Sequence, residues 1–216
     1  MLKISELRKA YHGQMVLEIP GLEFPAGIHW LQGINGSGKT TLFRSIAGML
    51  PFEGRILLDG KYEITKQAVD YRLRVNYGEA EPLYPAFLSA NDLIQFVAKA
   101  KKASKEQISE LIETLEISAF INNQTGTFSS GMLKKLSLVL AFLGQPSLIL
   151  LDEPLITIDK AAVKNMYKLV NNYYKNGVSF IMSSHQDFEL DDIHLSNKYL
   201  VKDKTVNLMS STKNNG

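Results

Sequence analysis

Gly33-Ile34-Asn35-Gly36-Ser37-Gly38-Lys39-Thr40-Thr41 lies between an apolar run, Ile28-His29-Trp30-Leu31, and a segment in which Leu42, Phe43, Ile46 and Leu50 recur at helical spacing. The order predicted is strand, glycine-rich loop, helix. Glycines at both ends of the loop let successive backbone N–H groups turn inward, and the helix beginning near Lys39 adds the positive end of its dipole. Gly33 through Thr41 therefore read as a cradle for a triphosphate. In the Gly-x-x-x-x-Gly-Lys-Thr pattern Lys39 reaches the β- and γ-phosphates, and the Thr40 hydroxyl ligates Mg²⁺.

The rest of the composition limits what surrounds that cradle. The chain has 216 residues, 45% hydrophobic and 21% charged, enough for a full core in one domain, with or without a sub-lobe. A net charge of +2 with scattered lysines gives no basic stripe, so no nucleic-acid partner is expected. Cysteine is absent, which removes disulfides and thiolate metal sites and points to the cytosol. The charges in Met1-Leu2-Lys3-Ile4-Ser5-Glu6 interrupt what a signal peptide would need. No apolar run approaches the ~20 residues of a membrane span, so work at a membrane would require a spanning partner.

Outward from the loop, Leu2 to Lys9, Met15 to Ile19 and Gly21 to Phe24 read as three extended pieces of a small antiparallel layer. Tyr11 admits two readings, an aromatic platform for adenine with Val16 against the base, or a strand-end ring half buried in the sheet. After Gly48 come a short strand, Gly54 to Leu58, and an Asp59-Gly60 turn. Tyr62 to Tyr77 has no clear period and reads as strand plus loop. Pro82 and Pro85 precede two helices, Ala90 to Lys102, with Leu93, Phe96 and Val97 on its apolar side, and Lys105 to Glu116. Lys99, Lys101 and Lys102 read as a solvated helix end. A long helix opens at Gly131, burying Leu133, Leu136, Leu140 and Leu143 and stopping at Pro146. Residues 86–145 are thus expected to form a helical sub-lobe inserted in the nucleotide domain.

Ser147-Leu148-Ile149-Leu150-Leu151 is the continuous apolar run of a strand buried on both faces, and it ends in Asp152-Glu153-Pro154. Asp152, at the strand's carboxyl end, falls near the Mg²⁺ held by Thr40. Glu153 diverges from it, toward the γ-phosphate and the attacking water, as a catalytic base. A helix from about Lys160 to Tyr174, a strand Val178 to Met182, the sequence Ser183-Ser184-His185, two short strands (Tyr199 to Lys202 and Thr205 to Leu208) and a polar tail from Ser210 complete the chain.

Phe128-Ser129-Ser130-Gly131-Met132 before a helix, Leu150-Leu151-Asp152-Glu153-Pro154, Asp159 and Ser183-Ser184-His185 follow one another as the ordered motifs of an ATP-binding cassette (ABC) ATPase do, and from Tyr11 to His185 the chain resembles that family. The resemblance implies an α/β P-loop fold with a mainly parallel core, an antiparallel β layer and an inserted helical sub-lobe. It implies that Tyr11 and Val16 take the adenine and that Gly33, Asn35, Gly36, Ser37, Gly38, Lys39, Thr40 and Thr41 hold the phosphates of ATP. Mg²⁺ goes to Thr40 and Asp152. Glu153 and His185 are implied as catalytic, His185 on the γ-phosphate. Ser129 and Gly131 would reach the nucleotide of a second subunit, with Asp159 in the crossing loop, so that a homodimer or cassette pair closes on ATP. Polytopic membrane permease chains would be the partners, at the inner face of the membrane.

Three positions depart from the family's pattern. Ala80, between Glu79 and Glu81, stands where the family has Gln, with Glu81 as a partial replacement. Ser130 replaces the first signature glycine, as in exporters whose signature reads Ser-x-Gly-Met. Ile156-Thr157-Ile158-Asp159 lacks the usual small or Leu residues. The signature favours a drug or antibiotic exporter. A haem-exporter ATPase and a soluble, non-transport ABC ATPase are the alternatives.

Overall fold

The computed structural model describes residues 1–185 and 193–209; residues 186–192 and the tail from Ser210 lie outside them. β1 (Leu2–Tyr11) buries Leu2, Ile4 and Leu7 and exposes Lys3, Glu6 and Arg8. The period of two slips where Glu6 turns left-handed (φ 50°) and its pairing with β4 (Glu53–Leu58) shifts register between Ser5 and Arg8. β2 (Gln14–Phe24) is one strand, not the two pieces expected, although Pro20 lies within it. It forms the edge of a four-stranded antiparallel sheet of order β2-β1-β4-β5, with β5 at Tyr62–Glu63, and an edge tolerates a residue that cannot donate to the ladder.

The second sheet contains β3 (Ile28–Gln32), β6 (Val75–Gly78), β7 (Leu148–Leu151), β8 (Ser179–Ser184), β9 (Asn197–Lys202) and β10 (Thr205–Leu208), in the order β10-β9-β3-β8-β7-β6. The pairs β9–β3, β3–β8, β8–β7 and β7–β6 are parallel, and β10 is antiparallel to β9. β7 is buried on both faces, as its unbroken apolar sequence requires. Leu148 and Leu150 face a core shared with β1, β2 and the helix α1 (Lys39–Ile46). Ile149 and Leu151 face the core under α3 (Ala90–Lys101), α4 (Lys105–Thr114), α5 (Ser130–Phe142) and α6 (Lys160–Lys175). The period-two pattern of one strand thus separates two hydrophobic layers.

Several local expectations are corrected. The stretch from Tyr62 to Tyr77 contains a helix, α2 (Ala68–Arg74), before β6. Seven residues, no side-chain cap and one buried residue, Tyr71, leave no amphipathic stripe to read; the Tyr71 hydroxyl donating to the Ile46 carbonyl (2.8 Å) ties α2 to α1. Phe96 is exposed, while Ile94 and Ala98 join Leu93 on the buried side of α3. α5 is enclosed over most of its circumference, including Lys134 and Ser137, because it lies between the parallel sheet and α3 and α4. Its last residue is Phe142, and the chain turns at Gly144 (φ 84°) before Pro146 is reached. Lys101 is not solvated: it donates to the carbonyls of Arg72 and, at 3.0 Å, Val75, and burial pushes its pKa down to about 8.

Candidate functional site

Because β3, β6, β7 and β8 run parallel, their carboxyl ends share one edge of the sheet, the edge at which open α/β sheets bind ligands. β3 feeds the loop that starts at Gly33, β6 ends at Gly78, β7 delivers Asp152 and Glu153, and β8 delivers Ser183, Ser184 and then His185. These segments border a cleft of about 550 Å³ whose lining includes Val16, the residues from Asn35 to Thr41, Glu153 and His185.

The loop is shaped for an anion. Gly38 sits at φ 106°, and a Cβ there would come within 2.8 Å of the Leu17 side chain, so the loop packs against β2 only with glycine at this point. α3, α4, α5 and α6 each take a side-chain cap from Ser89, Ser104, Ser129 and Asp159. α1 has neither a capping side chain nor an acid in its first turn, which leaves its leading N–H groups and dipole directed at the cleft. Ser37 Oγ is buried without a partner among the described residues, a further donor for a phosphate oxygen. The Lys39 ammonium, 6% exposed, donates to the carbonyls of Gly33 (2.6 Å) and Ile34 (3.2 Å) and lies 3.8 Å from Glu153 Oε1. Burial lowers its pKa, against the opposing fields of Glu153 and Asp152.

The two neighbouring acids have different surroundings. Asp152 is fully buried, and hydroxyls hold its side chain: Thr40 (2.7 Å) and Tyr77 (3.1 Å) both donate to Oδ2, and Ser183 donates to Oδ1. Thr40 and Asp152 offer adjacent hard oxygens, which suit a divalent cation such as Mg²⁺ that keeps waters and takes its remaining ligands from substrate phosphates. Glu153 turns the other way because its backbone is left-handed (φ 47°), a strained state for a side-chain-bearing residue, kept in place by its N–H donating to Ser183 Oγ (3.1 Å). Its Oε2 accepts from His185 Nδ1 at 2.6 Å while Oε1 faces Lys39. The arrangement presents a carboxylate, oriented by an imidazole and a lysine, at the mouth of a phosphate-shaped loop.

Other expected residues lie elsewhere. Tyr11, 40% exposed, ends β1 beside the His12-Gly13 turn with the Lys9 ammonium 4.8 Å above its ring. It is not among the residues lining the cleft, whereas Val16 is. Ser129 is exposed, its Oγ accepting from the Met132 N–H (3.3 Å) to cap α5. Gly131 lies where a Cβ would come within 2.7 Å of the Thr157 carbonyl, so α5 and the loop ahead of α6 touch through it. Asp159 caps α6 through the Ala162 N–H and pairs with Lys135 of α5 at 3.2 Å. Ser129, Gly131 and Asp159 thus share a neighbourhood apart from the cleft lining. Of the residues around the missing Gln, Ala80 and Glu81 line the cleft, and Glu79 pairs instead with Arg44 at 3.1 Å.

Two contributors were not readable beforehand. Tyr77 ends a stretch that reads only as strand plus loop, with no polar partner visible for its hydroxyl. Lys134 follows the signature stretch as if on a helix surface, yet it is 2% exposed, and its ammonium donates to the carbonyls of Glu79 (2.7 Å), Ala80 (3.3 Å) and Asp152 (2.7 Å). Burial pushes its pKa down to about 8. A lysine so near the cap of a largely apolar helix was the one available hint.

Comparisons with known proteins bear on the family and the fold. The family model described as "ABC transporter" matches residues 22–156. The cytochrome c biogenesis ATP-binding export protein CcmA of Legionella pneumophila is 30% identical over 195 residues, 88% of this chain and 96% of CcmA. The glucosylceramide transporter ABCA12 of Mus musculus is 30% identical over 86% of this chain, which spans 8% of that much longer protein. A solved dimeric ATP-binding cassette in a post-hydrolysis state with ADP and Pi shares the fold, with a TM-score of 0.80 at 18% identity, over 95% of this chain and 96% of that one.

Proposed function

The chain belongs to the ABC transporter family, and on that premise we propose that it is the ATP-hydrolysing, nucleotide-binding subunit of an exporter, working as a head-to-tail pair with Mg²⁺ as the cation. The observation that carries the catalytic half is Glu153 held between His185 and Lys39 at the mouth of the loop. In this reading the loop N–H groups, Ser37 and Lys39 hold the phosphates, and Thr40 and Asp152 hold Mg²⁺, which neutralises developing phosphate charge when bound. Glu153 takes the proton of the attacking water, and His185 keeps its carboxylate aimed. Val16 lies against the base, with Tyr11 as the ring beside it.

The second half is the exposed start of α5. Ser129 and Gly131 meet the γ-phosphate bound by the partner copy, and Asp159 lies in the loop that crosses between copies. ATP then favours the closed pair because its γ-phosphate contacts both copies there, and hydrolysis releases it. Among the described residues no helix is long and apolar enough to cross a membrane. Polytopic permease chains at the inner face of the membrane supply that part and choose the substrate. Export is favoured by the Ser-x-Gly-Met form of the signature and by the likeness to an export ATPase over nearly its full length. The second reading, an export ATPase of the cytochrome c biogenesis type, rests on the same likeness. The test is purification from detergent-solubilised membranes: a polytopic partner that stimulates Mg²⁺-dependent ATP hydrolysis is expected, and retention on ribosomes or DNA instead would overturn transport.

A further inference from the structure

Beside the nucleotide cleft lies a more apolar groove of about 510 Å³, bordered by Met49, Val69, Leu73, Tyr84, Val97 and Leu140. Tyr77 and Glu79 also border the groove, and Arg44, the ion-pair partner of Glu79, borders the cleft. Tyr77 therefore contributes to two places at once: it forms part of the groove wall, and its hydroxyl donates to Asp152 Oδ2. Phe43 of α1 meets its ring edge-on, with centroids 6.3 Å apart at 82°.

The backbones on either side are fixed to each other. Tyr77 pairs with Leu150 and Gly78 with Leu151 in the β6–β7 ladder, and the Asp152 N–H donates to the Gly78 carbonyl at 2.9 Å. What can respond to a ligand is the side-chain layer. Asp152 Oδ2 accepts from both Thr40 and Tyr77. A Thr40 hydroxyl that ligated a cation through its oxygen would keep its O–H for Oδ2, so the phenol is the second donor that fixes this oxygen, while Ser183 holds Oδ1. We propose that Tyr77 is a positioning residue that aims the Asp152 carboxylate at the divalent cation, and that through its ring cation-loaded nucleotide in the cleft alters the wall of the apolar groove. The proposal rests on the reading that Asp152 serves the cation and goes beyond it by naming the side chain that ties that carboxylate to the groove.

The chain has no cysteine, so Met49→Cys, at an exposed position on the groove rim, accepts a single environment-sensitive fluorophore. ATP is titrated into the full chain with Mg²⁺ and, separately, with EDTA. The expected result is an emission shift at saturating Mg²⁺ and ATP. Tyr77→Phe, which keeps the ring and removes the hydroxyl, weakens binding of the Mg²⁺-loaded nucleotide by about tenfold, leaves binding in EDTA unchanged, and abolishes the shift at saturation. Asp152→Asn separates the two layers of the claim. If it leaves the Mg²⁺ dependence intact, the cation reading itself fails. If Asp152→Asn removes that dependence while Tyr77→Phe binds and shifts like the parent, the reading stands and the role of Tyr77 is overturned. A parent protein with no emission shift overturns the link to the groove.

Discussion

At the ends of β3, β7 and β8, Glu153 is held between Lys39 and His185 at hydrogen-bond or ion-pair distance, and its neighbour Asp152 is held by the hydroxyl of Thr40. At the start of α5 the picture is the opposite: Ser129 is exposed and caps its own helix, and Asp159 is tied to Lys135 outside the cleft. One region has its chemistry assembled within a single chain. The other presents Ser129 outward, where the proposed function seats the γ-phosphate of a partner copy. On the proposed reading the cleft binds the nucleotide and carries the base Glu153, while the start of α5 completes the centre of a partner copy, so substitutions in the two regions should have separable effects.

The largest effect is expected at Glu153. Glu153→Gln should lower ATP turnover by roughly 10²- to 10⁴-fold while ATP binding persists, and the unhydrolysed nucleotide should accumulate a pair of chains visible by light scattering after size exclusion. Parental turnover in this variant would remove the carboxylate from the mechanism. Next comes Ser129→Arg on the outward surface, which should cost about 10²-fold in turnover, the worth of a preorganised donor set, with nucleotide affinity unchanged in an equilibrium titration. Equal losses of affinity and turnover would erase the distinction between the regions. Lys39→Met should do the converse, lowering nucleotide affinity by roughly 10- to 10²-fold as a charge-assisted phosphate contact is lost.

How much of this was legible follows from how local each signal was. The elements around Gly33 to Thr41 could be read because strand, loop and helix are contiguous, and the strand ahead of Asp152 because four apolar residues in a row, Leu148 to Leu151, demand burial on both faces. Glu153 was read as diverging from Asp152, which the left-handed backbone at φ 47° accomplishes. The helix α2 escaped because its single buried ring, Tyr71, gives no period. Continuity of β2 through Pro20 depended on its being an edge strand, which no local pattern reveals. Tyr77 and Lys134 escaped for a related reason: their partners are an Asp152 side chain 75 residues away and an Asp152 carbonyl 18 residues away, which the fold brings together.

The smallest expected effect belongs to neither region and serves as a control. His29 of β3 is buried between Phe24 and Tyr199, Nε2 lies 2.8 Å from the Pro25 carbonyl, and burial lowers its pKa below the ordinary 6.5. The folded chain therefore takes up this proton less readily than the unfolded one. The stability contributed by the neutral ring is complete above about pH 6.5 and is lost as pH falls below it. Chemical unfolding between pH 7.5 and 5.5 should show that loss, and His29→Phe should flatten it without altering nucleotide affinity.

The most direct test of the split site is to mix two inactive proteins. Glu153→Gln lacks the base in every copy, and Ser129→Arg spoils the outward surface in every copy. A mixed pair contains one centre with Glu153 from one chain and Ser129 from the other. Equal amounts should recover about a quarter of wild-type turnover, since half the pairs are mixed and each has one intact centre of two. A mixture no more active than its parts would mean that both residues act within the same chain, and the head-to-tail account would be wrong.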